Sequence, residues 1–225
     1  MSNTIIDLGC GVGNKLKRYY NKYHVVGVDI DKENIEICKK QMPNGTWIVG
    51  DIASFSIQQY ENIKKIFCTE VLEHTDDWKR VLYNMNLAPQ GTTLLLTIPH
   101  ELSEKKLLKL KPNYWDEIGH KHFFNGNEIK QVLEQHGWHN IKIQRSNAAL
   151  FFQLQLLFKR NAPCIRHTYY ENTLPLPVRI FFQLFSVDLF QTKLKYFFPF
   201  WIITLPASLI LNRWWGATVR VTAKK

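Results

Sequence analysis

Three glycines at alternate positions follow a short apolar run near the start of the chain. The stretch IIDLGCGVG covers residues 5–13 and places glycines at Gly9, Gly11 and Gly13. A strand that leads through a glycine-rich turn into a helix brings backbone N–H groups beside a ligand. Glycine permits the tight turn and the close approach that such a site needs. The stretch therefore predicts a first strand followed by a ligand-binding loop, as in open α/β sheets.

Strand-like and helix-like segments alternate over the rest of the first 147 residues. Apolar runs predict four further strands, at HVVGVDI, GTWIVGDI, IKKIFCT and GTTLLLTIP. WHNIKIQRS alternates like a late strand, and so does GATVRVTAK, which lies beyond this part at residues 216–224. Helical patterns are NKLKRYYNK, KENIEICKKQM, residues 76–87 with Thr75 or Asp76 as N-cap, and NGNEIKQVLEQHG with Asn125 or Asn127 as N-cap. Short apolar strands between helices predict a doubly wound α/β fold with a mainly parallel, seven-stranded sheet.

The composition divides the chain into two parts. The 225 residues carry a net charge of +10, of which +8 lies in residues 148–225, together with ten of the fourteen phenylalanines. We predict one domain from residues 1–147 and 216–225, and a helical, aromatic-rich insertion at 148–215. Residues 196–211 form an uncharged run that is short for a membrane span, which needs about 20 apolar residues. The insertion is either a soluble lid or a peripheral contact with an anionic membrane.

Three acidic residues stand near the ends of successive predicted strands, at Asp7, Asp29 and Asp51. The glycine spacing differs from the G-x-G-x-x-G dinucleotide fingerprint, and the P-loop motif is absent. A carboxylate before the first glycine suits an ammonium group better than a pyrophosphate. Asp29 can accept both hydroxyl protons of a ribose, Asp51 can accept from an adenine amino group, and Ile30 and Ile52 can sandwich the purine. The predicted ligand therefore has a cationic end, a ribose and a base, but no phosphate.

The segments DLGCGVG, VVGVDID, VGDI, EVLEH and LAPQGTTLLLTIP resemble the class I S-adenosylmethionine-dependent methyltransferases, most closely the small-molecule branch with an LEH motif. The resemblance covers residues 4–145 and the last strand, and it implies a Rossmann-like methyltransferase fold with S-adenosyl-L-methionine as cofactor. It implies contacts with the methionine moiety from Asp7, Gly9, Gly11 and Gly13, with ribose from Asp29, with adenine from Asp51 and Ile52, and with methionine or sulfonium from Cys68 and Thr69. The family usually has one or two helices before the first strand; the insertion replaces this cover, or the site is open, or the chain is truncated.

Candidate catalytic residues follow the fourth and fifth predicted strands. Glu73 and His74 lie in EVLEH, and His120 and His122 lie in YWDEIGHKHFF, which we expect to form a loop. Each histidine is a candidate general base for an O–H acceptor. The alternative for Glu73 and His74 is that they orient the loop or start the next helix, and the alternative for His120 and His122 is that they cap or pack. We predict no metal, because the acids and histidines lack a short ligand spacing.

The predicted function is methyl transfer to a small, amphiphilic or lipid-linked acceptor, at oxygen. The alternative is a non-catalytic, membrane-associated adaptor that keeps the methyltransferase fold; a nicotinamide-dependent oxidoreductase is disfavoured by the glycine spacing. Nucleic acid is also disfavoured as a partner, because the basic residues of 148–225 stand among bulky aliphatic residues. The four cysteines are scattered without a paired spacing, which predicts reduced thiols and a cytoplasmic protein, peripheral to the membrane if the insertion contacts lipid.

Overall fold

The computed structural model describes residues 3–146 and 217–225. The strands are β1 Thr4–Leu8, β2 His24–Asp29, β3 Thr46–Val49, β4 Ile63–Thr69, β5 Thr93–Pro99, β6 His139–Ser146 and β7 Thr218–Lys224. The α-helices of the described residues are α1 Lys32–Gln41, α2 Trp78–Asn86, α3 Glu101–Leu110, α4 Tyr114–Ile118 and α5 Gly126–Gln135, with short 3-10 turns at Leu16–Arg18, Ile57–Gln59 and Leu72–His74.

The seven strands form one sheet in the order β3-β2-β1-β4-β5-β7-β6. β1 pairs in parallel with β2 and β4, β2 with β3, and β4 with β5. β7 runs antiparallel to β5, because the N–H of Lys225 bonds to the carbonyl of Thr92 and the N–H of His100 to that of Ala217. The doubly wound α/β prediction is confirmed, with a mixed sheet. The chain order reverses on either side of β1, and ligands bind at such switch points in open sheets.

Every residue of β1 is buried. The strand lies between β2 and β4 in the sheet, and both faces of such a central strand are covered. On one face, Ile5, Val25 and Phe67 pack with side chains from α1 and the segment before β2. Trp47 completes this cluster, and its indole N–H bonds to the carbonyl of Met42 at 2.8 Å. The buried strand fixes the position of the glycine loop that follows it.

Three local expectations are corrected. α2 begins at Trp78 with Asp77 as N-cap, because the preceding residues form a 3-10 turn at 72–74 and the Thr75 hydroxyl bonds back to the carbonyl of Leu72. The segment NKLKRYYNK forms only the 3-10 turn Leu16–Arg18. The expected loop at residues 114–124 instead begins with α4, which buries Tyr114; α3, which buries Leu107, precedes it and was not predicted. The N-cap of α5 is Asn125, one of the two predicted residues.

The described residues fall into two compact units. The first comprises residues 3–98, 121–143 and 220–225, and the second comprises residues 99–120, 144–146 and 217–219. The predicted insertion at 148–215 lies outside the described residues, so the proposed domain division stays a prediction. Within residues 3–146 and 217–225, no helix has the length and apolar character needed to cross a bilayer.

Candidate cofactor site and acidic–histidine clusters

The loop after β1 is held by glycines in the left-handed backbone region. Gly9, Gly11 and Gly13 have φ angles of 72°, 51° and 76°. A Cβ atom on Gly9 would lie 2.3 Å from a methyl carbon of Val71, whereas one on Gly11 would meet no described atom within 4 Å. Gly9 is therefore required by packing, and Gly11 leaves space beside the loop.

The carboxylate of Asp29 is anchored by backbone amides at the end of β2. Its Oδ2 accepts the N–H of Gly11 at 2.7 Å, and its Oδ1 accepts the N–H of Asp31 at 2.9 Å. Asp31 in turn caps α1 through the N–H groups of Glu33 and Asn34. A carboxylate oxygen has two lone pairs, so each oxygen of Asp29 keeps capacity for a further donor such as a ribose hydroxyl.

Asp7 is wholly buried at the end of β1, with an exposed fraction of 0%. Among the residues that the structure describes, neither of its carboxylate oxygens has a hydrogen-bond partner. Burial raises its pKa to about 7, while the ammonium of Lys15, 4.0 Å from Oδ2, lowers the pKa and Asp29 raises it. Buried polar groups normally have partners, so this carboxylate fits a site that a cationic ligand group completes.

The predicted adenine contacts occupy different environments. Asp51 is exposed after β3, and its Oδ1 accepts the N–H of Ala53 at 2.8 Å. Ile30 is 79% exposed, whereas Ile52 is only 5% exposed. The N–H of Gly50 bonds to the carbonyl of Asp29 at 2.9 Å, which ties the end of β3 to the end of β2. The structure thus brings Asp29, Ile30 and Asp51 to neighbouring strand ends but places Ile52 in the core.

Two cysteine side chains form hydrogen bonds with the glycine loop. Cys10 and Cys38 both donate from sulfur to the carbonyl of Gly11, at 3.4 Å and 3.3 Å. Cys68 is fully buried in β4, and burial raises the pKa of its thiol; Thr69 is half-buried at the strand end. Sequence reasoning did not identify Cys10 and Cys38 as contacts of the loop, because nothing in their spacing indicates a shared acceptor.

The LEH residues form the 3-10 turn Leu72–His74 after β4. Glu73 is buried, and one of its oxygens lies 4.0 Å from Nε2 of the half-exposed His74. Lys121 donates its N–H to the carbonyl of Glu73 at 2.7 Å, and Nε2 of His122 bonds to the carbonyl of Thr75 at 2.7 Å. The structure thus brings His122 close to the turn that contains Glu73 and His74. The hydrogen bond between His122 and the carbonyl of Thr75 fixes the end of that turn.

The second unit contains two further histidine contacts. Nδ1 of His120 lies 2.9 Å from Oε2 of Glu104, which also accepts the indole N–H of Trp115. His100 caps α3, and its Nδ1 lies 3.0 Å from a guanidinium nitrogen of Arg145. Burial, followed by the charge of Arg145, lowers the pKa of His100 to about 4. Glu104 and Arg145 were not singled out in the sequence; only the amphipathic pattern of residues 101–110 indicates that Glu104 faces inward.

Open α/β sheets bind nucleotide-type ligands at a switch point, beside a glycine loop and a carboxylate at the next strand end, and the residues after β1 and at the end of β2 have that arrangement. A family model described as a methyltransferase domain matches residues 2–143. The chain belongs to the class I S-adenosylmethionine-dependent methyltransferase family, as its sequence predicts. Its assignment to a branch marked by the LEH motif stays a prediction.

The curated relatives include two trans-aconitate 2-methyltransferases. The protein from Rhizobium etli is 25% identical over 174 residues, which cover 74% of this chain and 61% of the relative. The protein from Azoarcus sp. is 27% identical over 119 residues, which cover 50% of this chain and 46% of the relative. The chain thus spans about half to three-fifths of the length of the curated relatives it matches.

Solved structures show the same fold. A SAM-dependent methyltransferase from Archaeoglobus fulgidus has a TM-score of 0.56 at 18% identity, with coverage of 100% of this chain and 86% of the other. Phosphoethanolamine N-methyltransferase 2 from Haemonchus contortus, in complex with S-adenosyl-L-methionine, has a TM-score of 0.55 at 16% identity, with coverage of 100% and 49%. At these identities the likeness shows the fold alone.

Proposed function

We propose that this chain is an S-adenosylmethionine-dependent methyltransferase that transfers a methyl group to an oxygen atom of a small acceptor. The observation that carries the proposal is the carboxylate of Asp7, which is wholly buried beside the glycine loop with no hydrogen-bond partner among the described residues. A buried carboxylate that accepts no hydrogen bond is costly, and the ammonium of Lys15, 4.0 Å from Oδ2, offsets only part of that cost, since the pKa of Asp7 stays raised to about 7. A cationic cofactor that enters this site would offset that cost.

The residues that would hold the cofactor suit a ligand that has a cationic group, a ribose and a base but no phosphate. Asp29 would accept from the ribose hydroxyls, since both of its oxygens are fixed by backbone N–H groups. Asp7 and the loop of Gly9, Gly11 and Gly13 would line the methionine moiety. Contacts with adenine and with the sulfonium end are proposed for Ile30, Asp51, Ile52, Cys68 and Thr69. When bound, S-adenosylmethionine supplies an already activated methyl group, so the chain's residues mainly position the acceptor and manage its proton.

Isothermal titration with S-adenosylmethionine tests the cofactor site. We expect Asp29→Asn to weaken binding by roughly tenfold or more, because a hydrogen bond to a charged group contributes about 1.5–3 kcal/mol. Asp31→Asn is the matched control: it makes the same charge change two residues away and keeps an effective helix cap. Equal affinities of the wild type and Asp29→Asn would reject the site. Absence of binding by the wild type would favour the adaptor alternative.

An oxygen acceptor is supported by the names of the curated relatives, because trans-aconitate offers three carboxylates and no amine. The relatives are only partly covered by this chain, so the acceptor of this protein is itself a proposal. Transfer of a labelled methyl group to trans-aconitate, to a catechol and to a primary amine tests the atom. Labelling of the amine alone would contradict methylation at oxygen.

We infer the amphiphilic character of the acceptor from residues 148–215, whose aromatic and basic composition suits an anionic lipid surface. Flotation of the full chain with vesicles containing one-third phosphatidylserine, at low salt, tests this point. Recovery of the protein with the vesicles is expected. Recovery in the lower fraction would leave residues 148–215 as a lid without lipid contact.

A further inference from the structure

The thiols of Cys10 and Cys38 converge on one backbone carbonyl inside the first unit. Their sulfurs lie 3.4 Å and 3.3 Å from the carbonyl oxygen of Gly11. Among the residues that the structure describes, no other group donates to this oxygen, which has two lone pairs. The Cys10 thiol also lies within reach of the Cys38 sulfur, and in either arrangement the pair as a whole holds the carbonyl.

Both thiols remain hydrogen-bond donors at neutral pH. Cys10 and Cys38 are buried, and burial raises the pKa of each thiol above its ordinary value. The carboxylates of Asp7 and Asp29 raise both pKa values further. Nucleophilic and redox chemistry of cysteine needs the thiolate, so this pair is suited to hydrogen bonding instead.

Gly11 is anchored on both sides of its Cα atom. Its N–H donates to Oδ2 of Asp29 at 2.7 Å, and its carbonyl accepts from the thiol pair. Oδ1 of Asp29 accepts the N–H of Asp31, which is the N-cap of α1, and Cys38 lies in the same helix. These contacts close a ring that runs from α1 through Gly11 and Asp29 back to α1. Glycine has wide backbone freedom, so the ring excludes conformations that would turn the amide of Gly11 away from Asp29.

We propose that Cys10 and Cys38 are positioning residues of the cofactor site: their thiols fix the backbone of Gly11, which holds the carboxylate of Asp29 in the orientation that accepts the ribose hydroxyls. The inference rests on the proposed cofactor site. When Gly11 visits other conformations, only the remaining fraction of molecules is competent to bind, and the apparent dissociation constant rises in inverse proportion to that fraction. Loss of the thiols therefore weakens cofactor binding although Asp29 itself is unchanged.

The first test measures the anchoring without any cofactor, through amide hydrogen exchange of Gly11 in the full chain. We expect exchange to be roughly tenfold faster in Cys10→Ala/Cys38→Ala than in the wild type, and close to the wild type in Cys10→Ser/Cys38→Ser, whose hydroxyls replace the S–H donors. Equal exchange in the wild type and the double alanine variant would overturn the inference.

Infrared spectroscopy of the S–H stretching bands does not depend on the folding of a double variant. The single variants Cys10→Ala and Cys38→Ala assign the two bands by difference from the wild type. We expect both bands below the frequency of a thiol that makes no hydrogen bond, because donation weakens the S–H bond. Bands at the frequency of a thiol without a hydrogen bond would overturn the inference.

The second test measures the affinity for S-adenosylmethionine by isothermal titration. We expect each single alanine variant to bind about twofold more weakly, because the remaining thiol still holds the carbonyl, and the double alanine variant at least roughly tenfold more weakly. The double serine variant should bind within about threefold of the wild type, since its hydroxyls keep the donors. Alanine and serine differ only in that hydroxyl, so the comparison separates hydrogen bonding from packing.

Ile35→Val is the matched control for a loss of packing in α1. Ile35 is fully buried in the same core cluster as Cys10 and Cys38 and makes no contact through a polar side chain. Removal of one methylene group should lower the Tm but leave both the exchange of Gly11 and the affinity for S-adenosylmethionine at their wild-type values.

Two results of the titration would overturn this inference: wild-type affinity in the double alanine variant, or a double serine variant that binds as weakly as the double alanine variant. These outcomes are separable from failure of the proposed function, which is read by titration of the wild type alone. A wild type that binds no S-adenosylmethionine rejects the cofactor site itself. A wild type and a double alanine variant that bind it equally well reject only the positioning role of the thiols.

Discussion

The backbone N–H of Gly11 donates a 2.7 Å hydrogen bond to Oδ2 of Asp29. The two residues lie 18 positions apart in the chain. Gly11 follows β1, and Asp29 ends β2, the parallel neighbour of β1. Gly11 itself stands in the left-handed backbone region, with a φ of 51°. The conformation of the glycine loop and the orientation of the proposed ribose carboxylate are therefore coupled.

Gly11→Ala should impair cofactor binding more than it impairs folding. An alanine at a positive φ costs about 1–2 kcal/mol of stability, and its Cβ would enter the space beside the loop, where no described atom lies within 4 Å. We expect a modest fall in Tm and at least tenfold weaker S-adenosylmethionine binding. Thermal unfolding and isothermal titration measure the two effects separately.

Gly91→Ala is the matched control for this variant. Gly91 has a φ of 89° and likewise leaves its added Cβ in open space, but it lies in the turn between α2 and β5. A similar loss of Tm with unchanged cofactor affinity is expected. Equal affinity losses in both variants would mean that strain alone explains the effect at Gly11.

Local sequence was sufficient to predict the parts of the fold that depend on apolar runs. β1 follows from the isoleucines before Gly9, and β6 and β7 follow from simple alternation, because burial of one or both strand faces is a property of neighbouring residues. Residues 114–124 were expected to form a loop, but the first five of them form α4. No prediction was made for residues 101–110, although the residues that α3 buries, Ser103, Glu104 and Leu107, have helical spacing. Neither α3 nor α4 was therefore predicted.

The contacts of the candidate site depend on residues that are distant in sequence. Asp29 was selected from its strand-end position, but its bond to Gly11 depends on a backbone angle that no local pattern specifies. The complete burial of Asp7 depends on β2 and β4, which flank β1 and are distant in sequence. The residues next to Asp7 in the chain therefore do not indicate that its carboxylate is buried. Glu104 was missed for the same reason, since its partners come from α4 and the residues after it.

The stability of the protein should depend on pH through Asp7. Its pKa is raised from the ordinary value of 3.8 to about 7 by burial, so the folded state keeps a proton that the unfolded chain releases. The corresponding stabilisation is present below about pH 4 and is lost as the pH rises to about 7, with a magnitude on the order of 4 kcal/mol. Urea unfolding between these pH values measures the loss.

Asp7→Asn should remove this contribution, since an amide does not titrate. The difference in unfolding free energy between Asp7→Asn and the wild type should therefore grow in favour of the variant as the pH rises from about 4 to about 7. A difference that is constant with pH would show that Asp7 is ionised throughout, with a cationic neighbour closer than the 4.0 Å seen for Lys15.

His100 should give a pH dependence of the opposite sign. Its pKa is lowered from 6.5 to about 4, first by burial and then by Arg145, so the unfolded chain takes up a proton that the folded state refuses. The stabilisation is present above about pH 6.5 and is lost as the pH falls toward 4. His100→Asn keeps a good cap for α3 but does not titrate, so its unfolding free energy should fall less on acidification than that of the wild type. His136→Asn, at an exposed position, should follow the wild-type curve.

Lys15→Met should extend the pH dependence that Asp7 causes. The ammonium of Lys15 is the charge that lowers the pKa of Asp7, so its removal raises that pKa further and deepens the loss of stability at alkaline pH. We expect Lys15→Met to be more destabilising at pH 8 than at pH 5.5 in urea unfolding. Lys17→Met, an exposed neighbour in the same turn, should show the same small effect at both pH values. In the Asp7→Asn background the pH dependence of Lys15→Met should disappear; its persistence there would mean that Lys15 acts on a group other than Asp7.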